Sequence, residues 1–224
     1  MDPLTSLAAA SIALVGTHFA LSHPLRAPLV AMMGEGAFRG IYSLVAAGCM
    51  AWMYLAFKQA PSADLGGSGT LGWIVATVLT LPALVLFLGS LNGNPALPAP
   101  GARKAAAGNP AGVFAVTRHP MMWGFALWAI SHIVLWWSWR TVIVALAILI
   151  LALIGARLQD HKKEALMGAD WAGWEQRTSY WPRWTRLAGV SPLLWLIGIA
   201  GWLGVTWVHI GAGGIPAGIW RWTG

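Results

Sequence analysis

The chain has 224 residues, 58% of them apolar and only 9% charged, with a mean hydropathy of +0.65. Soluble domains are about 45–50% apolar and about 25% charged, so this composition excludes a soluble enzyme, a disordered chain and a nucleic-acid reader, despite a formal net charge of +7. The single cysteine, Cys49, excludes an intramolecular disulfide and a cysteine-based metal cluster, while sixteen tryptophans suit a protein with two lipid–water interfaces.

A membrane-spanning helix needs about 20 mostly apolar residues. Six segments qualify, over 4–25, 39–57, 70–91, 121–138, 140–157 and 190–210, so the expected fold is an all-α bundle of about six transmembrane helices in one domain spanning 1–224. The first segment lacks a basic leader and carries His18 and His23, which makes it a retained helix rather than a signal peptide. The fourth is the shortest and holds Trp123, Trp136 and Trp137 near its ends, with Trp139 just beyond, as interfacial anchors. Residues 92–112, with Asn94-Pro95, Pro98, Pro100 and Asn109-Pro110, read as an irregular loop. Residues 158–188 interleave charge with Trp171, Trp174, Trp181 and Trp184, the pattern of a short amphipathic segment on a headgroup surface or of a basic loop near anionic lipid.

Charge sets the expected orientation. Eleven of the fourteen Lys and Arg residues fall between helices 1 and 2, 3 and 4, or 5 and 6; only Lys58, Arg140 and Arg221 fall on the other side. The excess marks the cytoplasmic face. It places loops 92–120 and 158–188 inside and both termini outside, as in a multi-pass protein of a bacterial-type cytoplasmic membrane.

Ionisable groups within a bilayer are costly and usually functional. His18 lies in the first segment on a polar stripe with Ser11, Ser22 and Arg26. His132 lies in the fourth, about 18 Å from Pro120, with His18 about 10 Å from its own inner end. Helix-boundary error covers much of that offset, so the two rings can meet in the inner half of the bundle. No carboxylate falls within a span. A histidine pair without acids or thiols suits haem iron, and hydrogen-bonded packing accounts for the spacing equally well. Arg118-His119-Pro120 opens the fourth helix at the basic interface, where Arg118 and His119 are candidates for an anionic headgroup or substrate group; snorkelling is the simpler account. Trp128 is expected to close the cavity around the histidines. His209 and His161 read as interfacial or solvated.

These residues occur in an order that resembles a known family. Gly16-Thr17-His18 with Ser22 and Arg26 comes first, followed by Gly34-Glu35 and Phe38 through Ser43. Then come Thr117-Arg118-His119-Pro120-Met121-Met122-Trp123-Gly124, Ser131-His132, Gly155 with Asp160, and Gly168 through Arg177-Thr178-Ser179 to Pro182. The series resembles the NnrU family, a relative of plant zeta-carotene isomerase, over about the first 185 residues. The resemblance implies a polytopic membrane protein with haem b, acting on a lipophilic polyene or in nitrogen-oxide metabolism, with His18 and His132 as iron ligands and Ser22, Arg118, His119 and Trp128 near the cofactor. The isomerase's redox-exchanged cysteine corresponds to Ala129 here, so that ligand switch is not expected. Arg118-His119-Pro120 with Gly124 also resembles the helix start of isoprenylcysteine and phospholipid methyltransferases, which hold S-adenosylmethionine; Gln159-Asp160 is the nearest match to their acidic pair. A non-catalytic membrane accessory role completes the alternatives.

Overall fold

The computed structural model describes residues 1–98 and 100–223. Helix α1 (Pro3–Ser22) begins where Asp2 accepts from the Thr5 amide at 3.0 Å, satisfying one of the open N–H groups of the first turn. Helix α2 (Arg26–Gln59) starts thirteen residues earlier than the hydropathy pattern predicts and bends at Gly34 (φ 81°, ψ 157°). Only glycine reaches that backbone region without strain. The bend brings Arg26 back to Glu35, Nη2 to Oε1 at 2.7 Å, although nine helical residues would separate them by about 13 Å along a straight axis.

Helix α3 (Gly69–Gly89) precedes two short helices, α4 (Ala102–Ala107) and α5 (Val113–Val116). The stretch expected to be wholly irregular thus carries helical turns. Helix α6 (Pro120–Leu135) has proline in its first turn and closes at Trp136, whose φ is 49°. Helix α7 (Trp139–Met167) is capped by Ser138 and continues ten residues past the apolar segment. Helix α8 (Ala169–Arg177) and a 3-10 turn (Trp184–Gly189) lead to α9 (Pro192–Gly213), and a last 3-10 turn covers Gly218–Arg221. No strand occurs among the described residues.

Five helices, α1, α2, α3, α7 and α9, are long and apolar enough to cross a membrane. The sixth expected span, α6, has 16 residues, about 24 Å of rise against a hydrocarbon core of about 30 Å. The helices pack as a row, α2 on α1, α1 on α7, α7 on α6, α6 on α3 and α3 on α9. Small residues set the close approaches. A Cβ at Gly124 of α6 would lie 2.7 Å from the Ala83 carbonyl oxygen of α3, and one at Gly198 of α9 would lie 2.6 Å from Val85 Cγ2. Both glycines therefore allow the backbones to meet.

The two ends of the bundle are fastened differently. At the far end the segment before α3 pairs with the α6–α7 turn: Leu65, Gly67 and Ser68 amides donate to the carbonyls of Trp137, Trp136 and Leu135. Arg140 reaches the Phe57 and Ala60 carbonyls there. The basic end carries the densest core, where Val113, Phe114, Val116, Trp123, Trp171 and Trp174 pack against α3 and α6. The amphipathic segment expected in 158–188 exists as α8. Its Trp171 and Trp174 are 0% and 2% exposed: they insert into the protein, with Trp174 edge-on to Phe114, rather than into headgroups.

Candidate functional site

Three polar constellations interrupt the apolar interior. At the basic end of α1 and α2, Tyr42 Oη stands 2.8 Å from His18 Nδ1, 3.1 Å from His18 Nε2 and 3.1 Å from Ser22 Oγ. Ser22 and His18 thus share one phenol, as the polar stripe anticipated, but α1 ends at Ser22. Arg26 belongs to the next helix and joins Arg39 on Glu35. Leu14, Thr17, Leu21, Val45 and Ala46 line the narrow apolar cleft around the His18 ring. His23 lies just beyond the end of α1; burial, then the charges of Lys162, His18 and His161, hold its imidazole below the usual histidine value.

A second constellation lies where the extended residues before α6 meet α7 and α8. Arg118 donates from Nε to both Asp160 oxygens at 3.0 Å, and its Nη2 stands 2.6 Å from Asp160 and 3.0 Å from Glu175. His119 Nε2 meets Asp160 Oδ1 at 2.7 Å, while its Nδ1 is buried with no partner. All three central side chains are less than a tenth exposed. The guanidinium fork and the planar carboxylate match in geometry, and the desolvated charges persist because each is paired. Arg118 and His119 are therefore occupied by protein carboxylates rather than open to a headgroup.

The Arg177-Thr178-Ser179 stretch holds this network together. Ser179 and Tyr180 carbonyls accept from Thr117 Oγ1, the Ser179 carbonyl also accepts from the Arg118 amide at 2.8 Å, and Arg177 caps the α4 carbonyls of Ala106 and Ala107. Glu175 is the carboxylate that sequence reading missed. Its signal was available: in a chain with seven acidic residues, one that directly follows Trp174 in a tryptophan-rich stretch needs a cation.

The third constellation is His132 on α6. Its Nδ1 donates to the Trp128 carbonyl at 2.8 Å, with Ser131 Oγ at 3.2 Å, and its ring lies over the Trp128 indole with centroids 4.2 Å apart. With the proton on Nδ1, the Nε2 lone pair is available to an incoming ligand.

The structure does not bring His18 and His132 together. Phe19, next to His18, touches α7 at Gly155, whereas His132 precedes the α6–α7 turn by one helical turn and stands level with the start of α7. Along α7 these levels are about 20 Å apart, and α7 lies between α1 and α6. Axial ligands of one iron must face each other across it, so this pair does not fit a shared haem. Taken singly, His132 has the donor chemistry the group requires: a neutral imidazole with its second nitrogen fixed by a carbonyl.

A family model described as NnrU protein matches residues 6–217. The chain belongs to the NnrU family. No curated protein and no solved structure gives a significant match. The NnrU match spans all three constellations and extends through α9, beyond the 185 residues over which the motifs run. In this NnrU protein, no group of three or more His, Cys, Asp or Glu side chains stands ready for a bare metal ion among the described residues.

Proposed function

We propose that this NnrU protein is a haem b protein of a bacterial-type cytoplasmic membrane, exchanging electrons with a lipophilic or nitrogen-oxide partner. The observation that supports it is His132: a carbonyl-fixed imidazole stacked on Trp128 inside an apolar helix seam, where no carboxylate competes for it. Haem supplies a one-electron couple whose potential depends on its axial ligands and on burial. The protein's share is to orient the imidazole through the Trp128 carbonyl and to keep water from it with Trp128. Ala129, fully buried beside this ring, carries no thiol, which argues against a polyene isomerase of the cysteine-gated kind.

The test is purification in mild detergent from haem-replete cells, followed by a pyridine haemochrome spectrum. One haem b per chain is expected, and His132→Ala should lose most of it while keeping its helical circular dichroism. A colourless wild-type protein with a cooperative thermal transition would refute the proposal.

A further inference from the structure

We infer that Arg26, Arg39 and Lys162 hold the phosphate of an anionic glycerophospholipid at the basic ends of α1, α2 and α7. Arg118 is taken up by protein carboxylates, but these three cations are not. Glu35 accepts from Arg26 Nη2 at 2.7 Å and 2.9 Å and from Arg39 Nε at 2.9 Å. Lys162 has no carboxylate partner among the described residues. Three cations against one anion leave a surplus of two positive charges. The donors are also only partly used. Arg26 Nη1 and both Nη groups of Arg39 have no partner among the described residues, and the two side chains are 29% and 69% exposed. A guanidinium's fork of N–H groups fits phosphate oxygens as it fits those of a carboxylate.

Lys162 reaches the same place from α7. A Cβ at Gly155 of α7 would lie 3.7 Å from Phe19 Cε1 of α1. Lys162 is seven residues further on, two turns that return to the same face and bring it about 10 Å nearer the basic end. Helix α1 ends at Ser22, just past Phe19, and α2 starts at Arg26. Lys162 therefore stands level with the α1–α2 turn, on the side of α7 that meets α1. The charges of Arg26 and Glu35 both act on Lys162, in keeping with this placement.

Beneath the charges the α1–α2 seam changes in the order a glycerophospholipid does. Glu35, Arg39 and Tyr42 are spaced four and three residues apart and share one side of α2, with Tyr42 about 5 Å deeper than Arg39. The Tyr42 phenol stands 3.1 Å from Ser22 Oγ, which puts two hydroxyls at the depth of the lipid's ester carbonyls. Leu14, Leu21, Val45 and Ala46 lie beyond them. Charge, hydroxyl and hydrocarbon follow one another within about two turns, as phosphate, ester and acyl chain do in the lipid. A free phosphate would use the first of these alone.

The test takes the full chain, delipidated in mild neutral detergent, and titrates it with phosphatidylglycerol, phosphatidylcholine or inorganic phosphate. Native mass spectrometry counts the bound lipid, and the rise in thermal midpoint gives the affinity. The wild type should retain one phosphatidylglycerol per chain and bind it about tenfold or more tightly than phosphatidylcholine. Lys162→Gln and Arg39→Gln should each weaken it about fivefold, the factor for one cation at an anionic membrane surface. Neither side chain is buried, so both variants should keep the helical circular dichroism of the wild type. Arg183→Gln, exposed in the basic segment before α9, should bind as the wild type does. Phosphatidylglycerol bound no better than phosphatidylcholine, or Lys162→Gln binding as the wild type does, overturns the site. An equal loss in Arg183→Gln overturns it in favour of diffuse attraction. Inorganic phosphate that raises the midpoint as far as phosphatidylglycerol overturns the lipid in favour of a free anion.

Discussion

Asp160→Asn is the most informative single substitution outside the histidines. Asp160 is 1% exposed and receives three guanidinium contacts from Arg118 and one from His119. The amide keeps the shape but removes the charge, so a nearly buried guanidinium is left with Glu175 alone. Breaking a buried ion pair from one side costs about 3–5 kcal/mol. Glu175 remains 3.0 Å from Arg118 and is 22% exposed, which offsets part of that, so the lower end, about 3 kcal/mol, is expected. For a chain of this size each kcal/mol moves the midpoint by about 2–4 °C, giving a fall of about 6–12 °C. Thermal unfolding in detergent, followed by circular dichroism, measures it. The double replacement Arg118→Met with Asp160→Leu removes both charges and should recover much of the loss, because apolar substitutes for a whole buried pair are often neutral. A midpoint within about 2 °C of wild type for Asp160→Asn, on that same scale, would show that water reaches the pair and that the network is not a buried one.

Further outcomes follow from the same geometry. Burial, joined by the negative charges of Asp160 and Glu164, outweighs Arg118 and pushes the Glu175 carboxyl above the ordinary glutamate value. The folded chain then holds that proton to higher pH than the unfolded chain, so this group makes stability fall as pH rises from the ordinary value through the raised one. Glu175→Gln should flatten the midpoint-versus-pH curve in that window and be neutral or stabilising at pH 7; an unchanged slope contradicts the assignment. Gly124→Ala places a methyl 2.7 Å from a backbone carbonyl, and overpacking of this kind costs about 1–3 kcal/mol, visible as a lower midpoint in the same assay. Gly34→Ala forces a side chain into a glycine-only backbone region at φ 81° and should cost about 1–3 kcal/mol; an unaltered midpoint would mean the bend relaxes without penalty. Reporter fusions at both termini should be active only on the non-cytoplasmic side, as the charge asymmetry requires.

Hydropathy made the spans legible because a bilayer-crossing helix must be apolar along its whole length. It placed the start of α3, α6, α7 and α9 within two residues. It stopped short on α7 because Asp160, Lys162 and Lys163 looked like loop residues, although a helix continues readily into an aqueous end. It missed the start of α2, which lies ahead of the apolar run: Pro28 occupies the first turn, where its missing N–H costs nothing, and Gly34 supplies the bend. His18, Ser22 and Arg118 were legible as polar groups at apolar spans, but which of them share a site depends on helix order. The row α1–α7–α6 separates His18 from His132, and linear spacing carries no such information. His209 was set aside as interfacial because it stands near the end of its span.

The shortness of α6 has an electrical consequence. At its basic end the charged Arg118–Asp160–Glu175 cluster stands directly before its first turn, and at its far end the backbone of Leu65–Ser68 folds over the Trp136–Ser138 hook. Polar matter thereby enters from both sides and leaves an insulating column of about 24 Å instead of about 30 Å. A transmembrane voltage dropped over that column produces a field steeper by about a quarter than in the surrounding bilayer, and His132 sits inside it.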